Sequence, residues 1–437
     1  MTDATKEGAG GEGLSREVRL WPLVFYGAGT ILGAGIFVVV GEVVAEAGRL
    51  TPLAYLIAAA VAVTTGLAYG EMAARVPTAG GPTDYVERAF GSRRLGSAAG
   101  WTLLVANTVS AATITTGFTA YLSSIVEVPN WIPTTALILV LSGVAALGIK
   151  QSTWLMTGTT LVGIAALLGV LWFARDALMA GPGEVLGALG WGGGEAGGGS
   201  GEGEGGAGAA VGGGFAGLLI GAFLAVYAFV GFGDMALTAE EVRDVEKTMP
   251  RAISICLALV FAFYMAISLT LAGVEDVGAI AEAEAPLVEA VRAAGGPATV
   301  IAAMSLVVIL NGALTQIVGA ARLLLDLGRD GRGAPAVMGR VSERTDTPLL
   351  ATAAVAGTAL ALALFLPLKT LAEGTSLAIL LVFLAVNASL WRLKGEGQPD
   401  GVPDLPRALP AAGAALCLLA FAGQAAQMAG LFGGGGG

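Results

Sequence analysis

The chain has 437 residues, of which 55% are hydrophobic and only 13% are charged, and its mean hydropathy is +0.78. Soluble domains usually carry about 25% charged residues, so this composition excludes a soluble globular protein and indicates several membrane spans. The net charge of −10 argues against nucleic acid as a partner. There is no histidine, and Cys256 and Cys417 lie in separate apolar runs. Neither a metal site nor a disulfide framework is therefore predicted.

Apolar runs predict eleven transmembrane helices, since about 20 apolar residues cross a bilayer. They cover residues 21–43, 51–73, 97–124, 131–149, 153–174, 215–239, 250–273, 298–327, 347–366, 370–393 and 409–431. If the N-terminus is cytoplasmic, only four of the 23 basic residues fall in outer segments, namely Arg49, Arg175, Arg292 and Lys369. This asymmetry is what the positive-inside rule requires, and it supports both the span count and a cytoplasmic N-terminus.

A glycine-rich stretch at 181–214 divides the chain after its fifth span, and such composition is typical of a flexible coil. The predicted organisation is a cytoplasmic tail at 1–20, a first five-helix repeat at 21–174, a flexible outer loop at 175–214, a second five-helix repeat at 215–394, and an extra helix with its tail at 395–437. Because five is odd, the two repeats start on opposite sides of the membrane and have inverted topology.

Glycines interrupt the first span at Gly33-Ala34-Gly35. Glycine inside a helix costs roughly 1 kcal/mol relative to alanine, so the helix is expected to unwind there. Unwound backbone at membrane depth is tolerated only where protein buries it or a cavity solvates it. The alternative interpretation is close helix packing, because Gly29 and Gly33 have the small-residue spacing of helix contacts.

The sixth span has its own weak point at Gly231–Asp234, and it is the first span of the second repeat. Interrupted helices at corresponding positions of two halves indicate the binding site of a transporter. Together the two breaks favour a solute site over packing alone.

Several motifs, in order along most of the chain, resemble those of the amino acid–polyamine–organocation superfamily of permeases. They are Gly33–Phe37, Tyr69–Gly81, Phe229–Phe232, Ala239–Val242 and Gly319–Arg322. The resemblance implies an all-α polytopic membrane protein with an inverted five-plus-five broken-helix repeat, the LeuT-like transporter fold. It also implies secondary active transport of amino acids across the cytoplasmic membrane by alternating access, with no enzymatic activity. Family members often have twelve spans, and the ten core spans are present here.

The two breaks suit an amino acid zwitterion. Freed N–H groups of Ala34, Gly35 and Ile36 start a half-helix whose positive end favours a carboxylate. Carbonyl groups between Phe229 and Gly231 are expected to accept hydrogen bonds from the ammonium group. Aromatic side chains beside the second break and polar side chains within spans complete the predicted site. Its residues are Gly33, Ala34, Gly35, Ile36, Asn107, Tyr227, Phe229, Val230, Gly231, Phe232, Asn311 and Ser376.

Five further residues are predicted to take part in gating or coupling, namely Glu71, Asp234, Glu240, Glu241 and Thr315. Asp234 follows the second break, where it either caps the second half-helix or carries a proton. Glu71 is expected to form a salt bridge with Arg75 at the inner mouth. For Glu240 and Glu241, the sequence is equally compatible with contacts that close the gate and with charged side chains that lie in solvent. The polar residues within spans are equally compatible with helix–helix hydrogen bonding.

The coupling mechanism stays open at this point. Some proton-coupled relatives have a lysine midway along helix five, but residues 153–174 contain none. Coupling to Na⁺ or H⁺ and plain exchange remain possible, and no other cofactor is predicted. Small neutral amino acids are the expected substrates, with amines or polyamines as the alternative. A membrane sensor that binds an amino acid without moving it is a second hypothesis. The protein is expected in the lipid bilayer of the plasma membrane as a monomer or homodimer.

Overall fold

A computed structural model describes residues 18–148, 153–190, 214–399 and 401–428. In these ranges the chain is almost entirely α-helical. The helices are α1 (Leu20–Ala34), α2 (Ile36–Ala47), α3 (Thr51–Arg75), α4 (Pro82–Phe90), α5 (Arg93–Ser123), α6 (Trp131–Ala146), α7 (Thr153–Phe173), α8 (Arg175–Ala188), α9 (Gly214–Ala228), α10 (Phe232–Ala236), α11 (Val245–Ala272), α12 (Val277–Glu282), α13 (Pro286–Ala293), α14 (Ala298–Arg329), α15 (Leu349–Phe365), α16 (Leu368–Leu393) and α17 (Ala408–Met428).

Eight of the described helical segments are long and apolar enough to cross a membrane, and three shorter apolar helices accompany them. Together they account for the eleven predicted spans. Span 1 consists of α1 and α2, and span 6 consists of α9 and α10. The other spans, in order from 2 to 5 and from 7 to 11, are α3, α5, α6, α7, α11, α14, α15, α16 and α17. We call the end of the bundle whose loops carry nearly all of the basic residues the inner end.

Helix packing repeats between the two halves of the bundle. Helix α3 packs against α11, α5 against α14, and α6 against α15, which pairs each span with the one five positions later. Helix α7 packs on α1 as α16 packs on α9, and α2 lies against α9 while α1 lies against α10. The pattern is unchanged when each span is exchanged for its counterpart in the other half. This is the inverted five-plus-five arrangement, with spans 1 and 6 at its centre.

Two short amphipathic helices mark the same symmetry at opposite ends of the bundle. Helix α4 follows span 2 and packs on α5 and α16, whereas α13 follows span 7 and packs on α14 and α7. Both begin with a proline, Pro82 or Pro286, at the first helical position, where its missing N–H and its fixed φ suit a helix start.

The predicted outer loop is wrong over its first part, because Arg175–Ala188 is helical. This helix, α8, lies very close to α11. A Cβ added at Gly181 would lie 2.2 Å from the carbonyl oxygen of Leu269, and one added at Gly273 would lie 1.9 Å from that of Ala177. The two glycines therefore allow the backbones to touch. Residues 191–213, where flexibility was also predicted, lie outside the described residues.

Candidate functional site

The first break is a single residue. Helix α1 ends at Ala34, Gly35 has φ −83° and ψ −87°, and α2 begins at Ile36. The N–H of Gly35 donates to the carbonyl of Ile31 at 2.9 Å. The prediction of three freed N–H groups is therefore wrong for Ala34, which is still helical, and for Gly35. Ile36 starts α2, and the first N–H groups of a helix have no intrahelical acceptor.

The second break covers three residues, Phe229 to Gly231, between the end of α9 and the start of α10. Gly231 has φ +133°, a conformation that side-chain-bearing residues rarely adopt. The break lies earlier than the predicted Gly231–Asp234, because Gly233 and Asp234 belong to α10. The Gly231 carbonyl accepts from the N–H of Asp234 at 3.1 Å. Within the described part of the chain, the carbonyls of Phe229 and Val230 accept no hydrogen bond.

The two breaks are in direct contact. A Cβ added at Gly35 would lie 2.2 Å from the carbonyl oxygen of Ala228, at the start of the second break. A Cβ added at Gly231 would lie 2.9 Å from Cγ1 of Ile31 and 3.1 Å from its backbone nitrogen. The prediction that spans 1 and 6 share one site is therefore consistent with their geometry.

Tyr264 on α11 joins the two breaks, although it was not among the predicted site residues. Its buried hydroxyl lies 3.1 Å from the carbonyl oxygen of Ile31 and 2.7 Å from that of Ala228. The Ala228 carbonyl ends α9 and has no intrahelical donor, whereas the Ile31 carbonyl also accepts from the N–H of Gly35 at 2.9 Å. A hydroxyl has one hydrogen to donate, which the two carbonyls share or take in turn. A lone tyrosine within an apolar span was the available sequence signal.

Gly33 serves helix packing in this structure. A Cβ at Gly33 would lie 3.0 Å from the carbonyl oxygen of Val308 on α14, and one at Gly29 would lie 2.1 Å from Oγ1 of Thr160 on α7. The alternative interpretation of these glycines, close helix approach, therefore describes their surroundings in this conformation.

A small cavity lies beside the second break. It is lined by Tyr69, Pro82, Leu103, Asn107, Val230, Gly231, Gly233, Asp234, Ile379 and Phe383. These residues come from α3, α4, α5, the second break with α10, and α16. Four of the predicted site and gating residues meet here: Asn107, Val230, Gly231 and Asp234. The aromatic and aliphatic walls were not predicted, because they look like ordinary core residues in the sequence.

Buried polar atoms in this cavity lack partners. In the described part of the chain, neither Nδ2 of Asn107 nor the hydroxyl of Tyr69 makes a hydrogen bond. The carboxylate of Asp234 accepts from Nε2 of Gln316 on α14 at 3.4 Å, and Oε1 of Gln316 is again buried without a partner. An unsatisfied buried polar group costs about 1–3 kcal/mol, so such a concentration is typical of a site that binds a polar ligand.

Asp234 does not cap α10 with its side chain, contrary to one of its two predicted roles. It is the third residue of that helix, and no side-chain capping hydrogen bond is formed there. Its negative charge still lies in the first turn, where it complements the helix dipole. The carboxylate instead faces the cavity and Gln316.

Aromatic rings enclose the cavity. The ring centroid of Phe232 lies 5.0 Å from that of Phe383 in a stacked arrangement, and Tyr69 meets both rings edge-on at 5.4 and 6.0 Å. Phe232 is fully buried and does not face lipid. It packs α10 against α3 and α16.

The remaining predicted site residues do not line the cavity. Tyr227 is fully buried, with its hydroxyl 3.3 Å from Oγ of Ser110, and the Phe229 ring packs edge-on against Tyr264 at 5.0 Å. On α14, Oγ1 of Thr315 donates to the carbonyl of Asn311 at 3.0 Å. Ser376 on α16 is buried, and its hydroxyl has no partner among the described residues.

The other three predicted gating acids lie at the inner end. The fully buried carboxylate of Glu71 pairs with Arg75 as expected, at 2.8 Å, and also with Lys394 at 2.8 Å. It accepts a further hydrogen bond from the N–H of Leu405 at 3.2 Å. We call this group of four residues the inner clamp. It joins α3, α16 and the segment before α17, and the two cations offset the cost of burying the carboxylate.

Glu240 and Glu241 differ in their surroundings. The carboxylate of Glu240 accepts from the N–H of Ala79 at 2.9 Å and connects the end of span 6 with the loop after span 2. The side chain of Glu241 is exposed, and its backbone carbonyl accepts from the N–H of Val18 at 3.0 Å. Glu240 thus makes a contact across the inner mouth, whereas the Glu241 side chain faces solvent.

Comparison with known proteins gives the family. The family described as "Amino acid permease" matches residues 18–432. Cationic amino acid transporter 2, vacuolar, of Arabidopsis thaliana is 28% identical over 434 residues, which cover 94% of this chain but only 64% of that longer protein. An uncharacterised transporter of Mycobacterium bovis is 30% identical over 423 residues, covering 94% of this chain and 86% of its own length. The branched-chain amino acid permease of Lactococcus lactis is 26% identical over 427 residues, covering 92% and 88%. The chain therefore belongs to the amino acid permease family of membrane transporters.

Proposed function

We propose that the protein is a secondary transporter that moves small neutral amino acids across the cytoplasmic membrane by alternating access. The substrate binds where the two breaks meet, and the adjoining cavity, which holds only about 10 Å³ in this conformation, widens to admit it. The observation that carries this proposal is the juxtaposition of a helix start at Ile36 with unpaired carbonyls at Phe229 and Val230. When Ala228 and Tyr264 move away from Gly35, the positive end of α2 suits a carboxylate, and the second break offers acceptors to an ammonium group.

The test is uptake of labelled amino acids by the purified protein in proteoliposomes. We expect uptake of alanine-sized and branched neutral amino acids above the protein-free background, and counterflow when unlabelled substrate is loaded inside. Background uptake for the whole panel contradicts transport. Binding without flux or counterflow favours the second hypothesis, a membrane sensor.

A cationic substrate is the second candidate, and the position of Asp234 favours it. Its carboxylate lines the cavity, and its one hydrogen-bond donor among the described residues is the neutral amide of Gln316. The Arabidopsis relative is named a cationic amino acid transporter, whereas the Lactococcus relative is named a branched-chain permease. An ammonium or guanidinium group in the cavity would pair with Asp234.

Asp234→Asn separates the two candidates, because it keeps the side-chain shape and removes the charge. If the substrate is neutral and Asp234 carries no coupling proton, uptake of neutral amino acids persists within a fewfold. If it is cationic, uptake of arginine or lysine falls at least tenfold. The matched control is Glu241→Gln, which removes an exposed charge from the same end of span 6. It should change neither the uptake of neutral amino acids nor the uptake of arginine or lysine.

The proposal also includes the ion that drives transport and the orientation of the protein in the membrane. We infer symport with Na⁺ or H⁺, or exchange, in a plasma-membrane protein with a cytoplasmic N-terminus. Thermal stability with and without substrate and sodium tests for the ion, because a ligand that binds the folded state raises its apparent stability. Protease accessibility of an N-terminal tag in sealed cells tests the orientation, and cross-linking distinguishes a monomer from a homodimer.

A further inference from the structure

A second hollow lies at the inner end, outside the candidate transport site. It encloses about 310 Å³ between α3, α11 and the segment that precedes α17. We call it the lateral groove. Its walls include Leu67, Pro250, Ile255, Pro403 and Leu405, with Arg251 at the rim. Roughly 300–1,000 Å³ is the usual size of a ligand site, so the groove reaches the lower end of this range.

The groove is held in shape by backbone features and by the inner clamp. Helices α3 and α11 touch where a Cβ at Gly70 would lie 3.0 Å from Cα of Pro250, and the groove opens beside this contact. Its third wall, Pro403 and Leu405, is fixed because the N–H of Leu405 donates to Glu71 and Lys394 pairs with Asp404 at 2.9 Å. Lys394 also holds the pKa of the exposed Asp404 carboxyl below its usual range, so this pair persists at neutral pH.

Charge at the groove is unbalanced. Arg251 is exposed and forms no ion pair within the described part of the chain, and the same holds for Lys247, one turn earlier on α11. Glu71 also borders the groove, but Arg75 and Lys394 already neutralise it. Apolar walls and an unpaired cation therefore lie side by side in the groove at the inner end of the bundle.

We propose that the lateral groove binds an anionic phospholipid from the leaflet at the inner end. Its phosphate pairs with the Arg251 guanidinium, which can contact two phosphate oxygens at once. An acyl chain packs against Leu67, Ile255 and Leu405. Basic pockets between membrane helices suit anionic head groups in this way. Because Leu405 belongs both to the groove wall and to the inner clamp, the bound lipid stabilises the clamp.

The test compares phosphatidylglycerol with phosphatidylcholine of the same acyl chains, added to the purified full-length protein in detergent. We expect phosphatidylglycerol to raise the melting temperature more than phosphatidylcholine does, and to increase protection from hydrogen exchange at 401–407. Arg251→Gln should weaken the apparent affinity for phosphatidylglycerol about tenfold. Arg344→Gln is the matched control, because Arg344 is also exposed at the inner end without an ion pair to any described residue.

A second variant tests the acyl-chain contact. Ile255 is 37% exposed, so Ile255→Trp is compatible with folding, and its indole should fill the groove and weaken the binding of both lipids. Equal effects of the two lipids on the wild-type protein overturn the proposal, as does an equal loss in Arg344→Gln. An unchanged phosphatidylglycerol effect in Ile255→Trp also overturns it. None of these measurements depends on transport.

Discussion

The two helix breaks differ in length, in backbone conformation and in what surrounds them. The first is one residue long, and Gly35 has a negative φ of −83°. The second is three residues long and ends at Gly231 with φ +133°. Around Gly35, three oxygen atoms would lie within 2.8 Å of an added Cβ, two of them backbone carbonyl oxygens. The second break instead borders a cavity that contains polar atoms without partners.

Because of this difference, we describe the first break as an anchor between the two broken helices and the second break as a binding surface. The first break is closed by protein, since Ala228 and Tyr264 occupy the space that the missing side chain of Gly35 leaves. The second break exposes carbonyls, Asn107 and Asp234 to one small volume. In this conformation, the first break fixes where the two half-helices cross, and the second supplies most of the groups available to a ligand.

Gly35→Ala should have the largest effect on this arrangement. Its Cβ would lie 2.2 Å from the carbonyl oxygen of Ala228, a distance that real Cβ atoms do not adopt, so the two breaks must separate. We expect at least a hundredfold loss of uptake and a large fall in the yield of folded protein. Uptake and size-exclusion profiles measure both.

Gly158→Ala is the control for Gly35→Ala. Gly158 lies in α7, and an added Cβ there meets no atom within 4 Å. Alanine is the better helix former, so this variant should be neutral or slightly stabilised. Normal uptake by Gly35→Ala would show that the first break is not an anchor.

Gly231→Ala should be the next most severe change. The strain of placing a side chain at φ +133° is of order 1–3 kcal/mol, and the Cβ would also press on Ile31. We expect a lower melting temperature and roughly tenfold weaker substrate affinity, because the carbonyls of the second break must move. Gly357→Ala, at an open position in α15, is the control. A variant with unchanged affinity would place the substrate away from this break.

Tyr264→Phe tests the connection between the breaks. It removes only the hydroxyl near the Ile31 and Ala228 carbonyls and keeps the ring contacts with Tyr55 and Phe229. Hydrogen bonds between membrane helices contribute about 1 kcal/mol, so we expect a loss of this order and faster hydrogen exchange at both breaks.

The neighbouring Tyr55→Phe provides the matched control. The Tyr55 hydroxyl is buried in the same aromatic group but makes no hydrogen bond in the described part of the chain. Removing it should leave hydrogen exchange at the breaks unchanged. Equal effects of the two variants would show that Tyr264 acts through packing rather than through its hydroxyl.

The sequence was sufficient to predict the spans and the broken helices, because hydropathy, basic residues and glycine all act locally. It predicted free carbonyls from Phe229 to Gly231 but placed the weak point of the helix slightly later, at its pair of glycines. In the structure Gly233 is helical beside the Tyr69 ring, and the chain opens at Phe229, whose ring packs on Tyr264. Tertiary packing therefore determines which residues of this glycine-containing segment leave the helical conformation.

Contacts between distant segments could not be predicted. Arg175–Ala188 contains Gly181, Pro182 and Gly183 and resembles a loop, yet packing against α11 makes it helical. Tyr69 and Phe383 are 314 positions apart and look like core residues. Their role as cavity walls follows only from how α3 and α16 meet.

Tyr69→Phe should have the smallest effect of these substitutions, and it tests a single hydroxyl group of the cavity. The Tyr69 hydroxyl has no partner among the described residues and lines the cavity, so its removal leaves no protein group unpaired. We expect stability to stay within about 0.5 kcal/mol and substrate affinity to fall about threefold, as for the loss of one weak hydrogen bond. Tyr85→Phe is the matched control, since the Tyr85 hydroxyl is likewise buried and unpaired but does not line the cavity. If both variants bind substrate like the wild-type protein, the unpaired hydroxyl of Tyr69 does not contact the ligand.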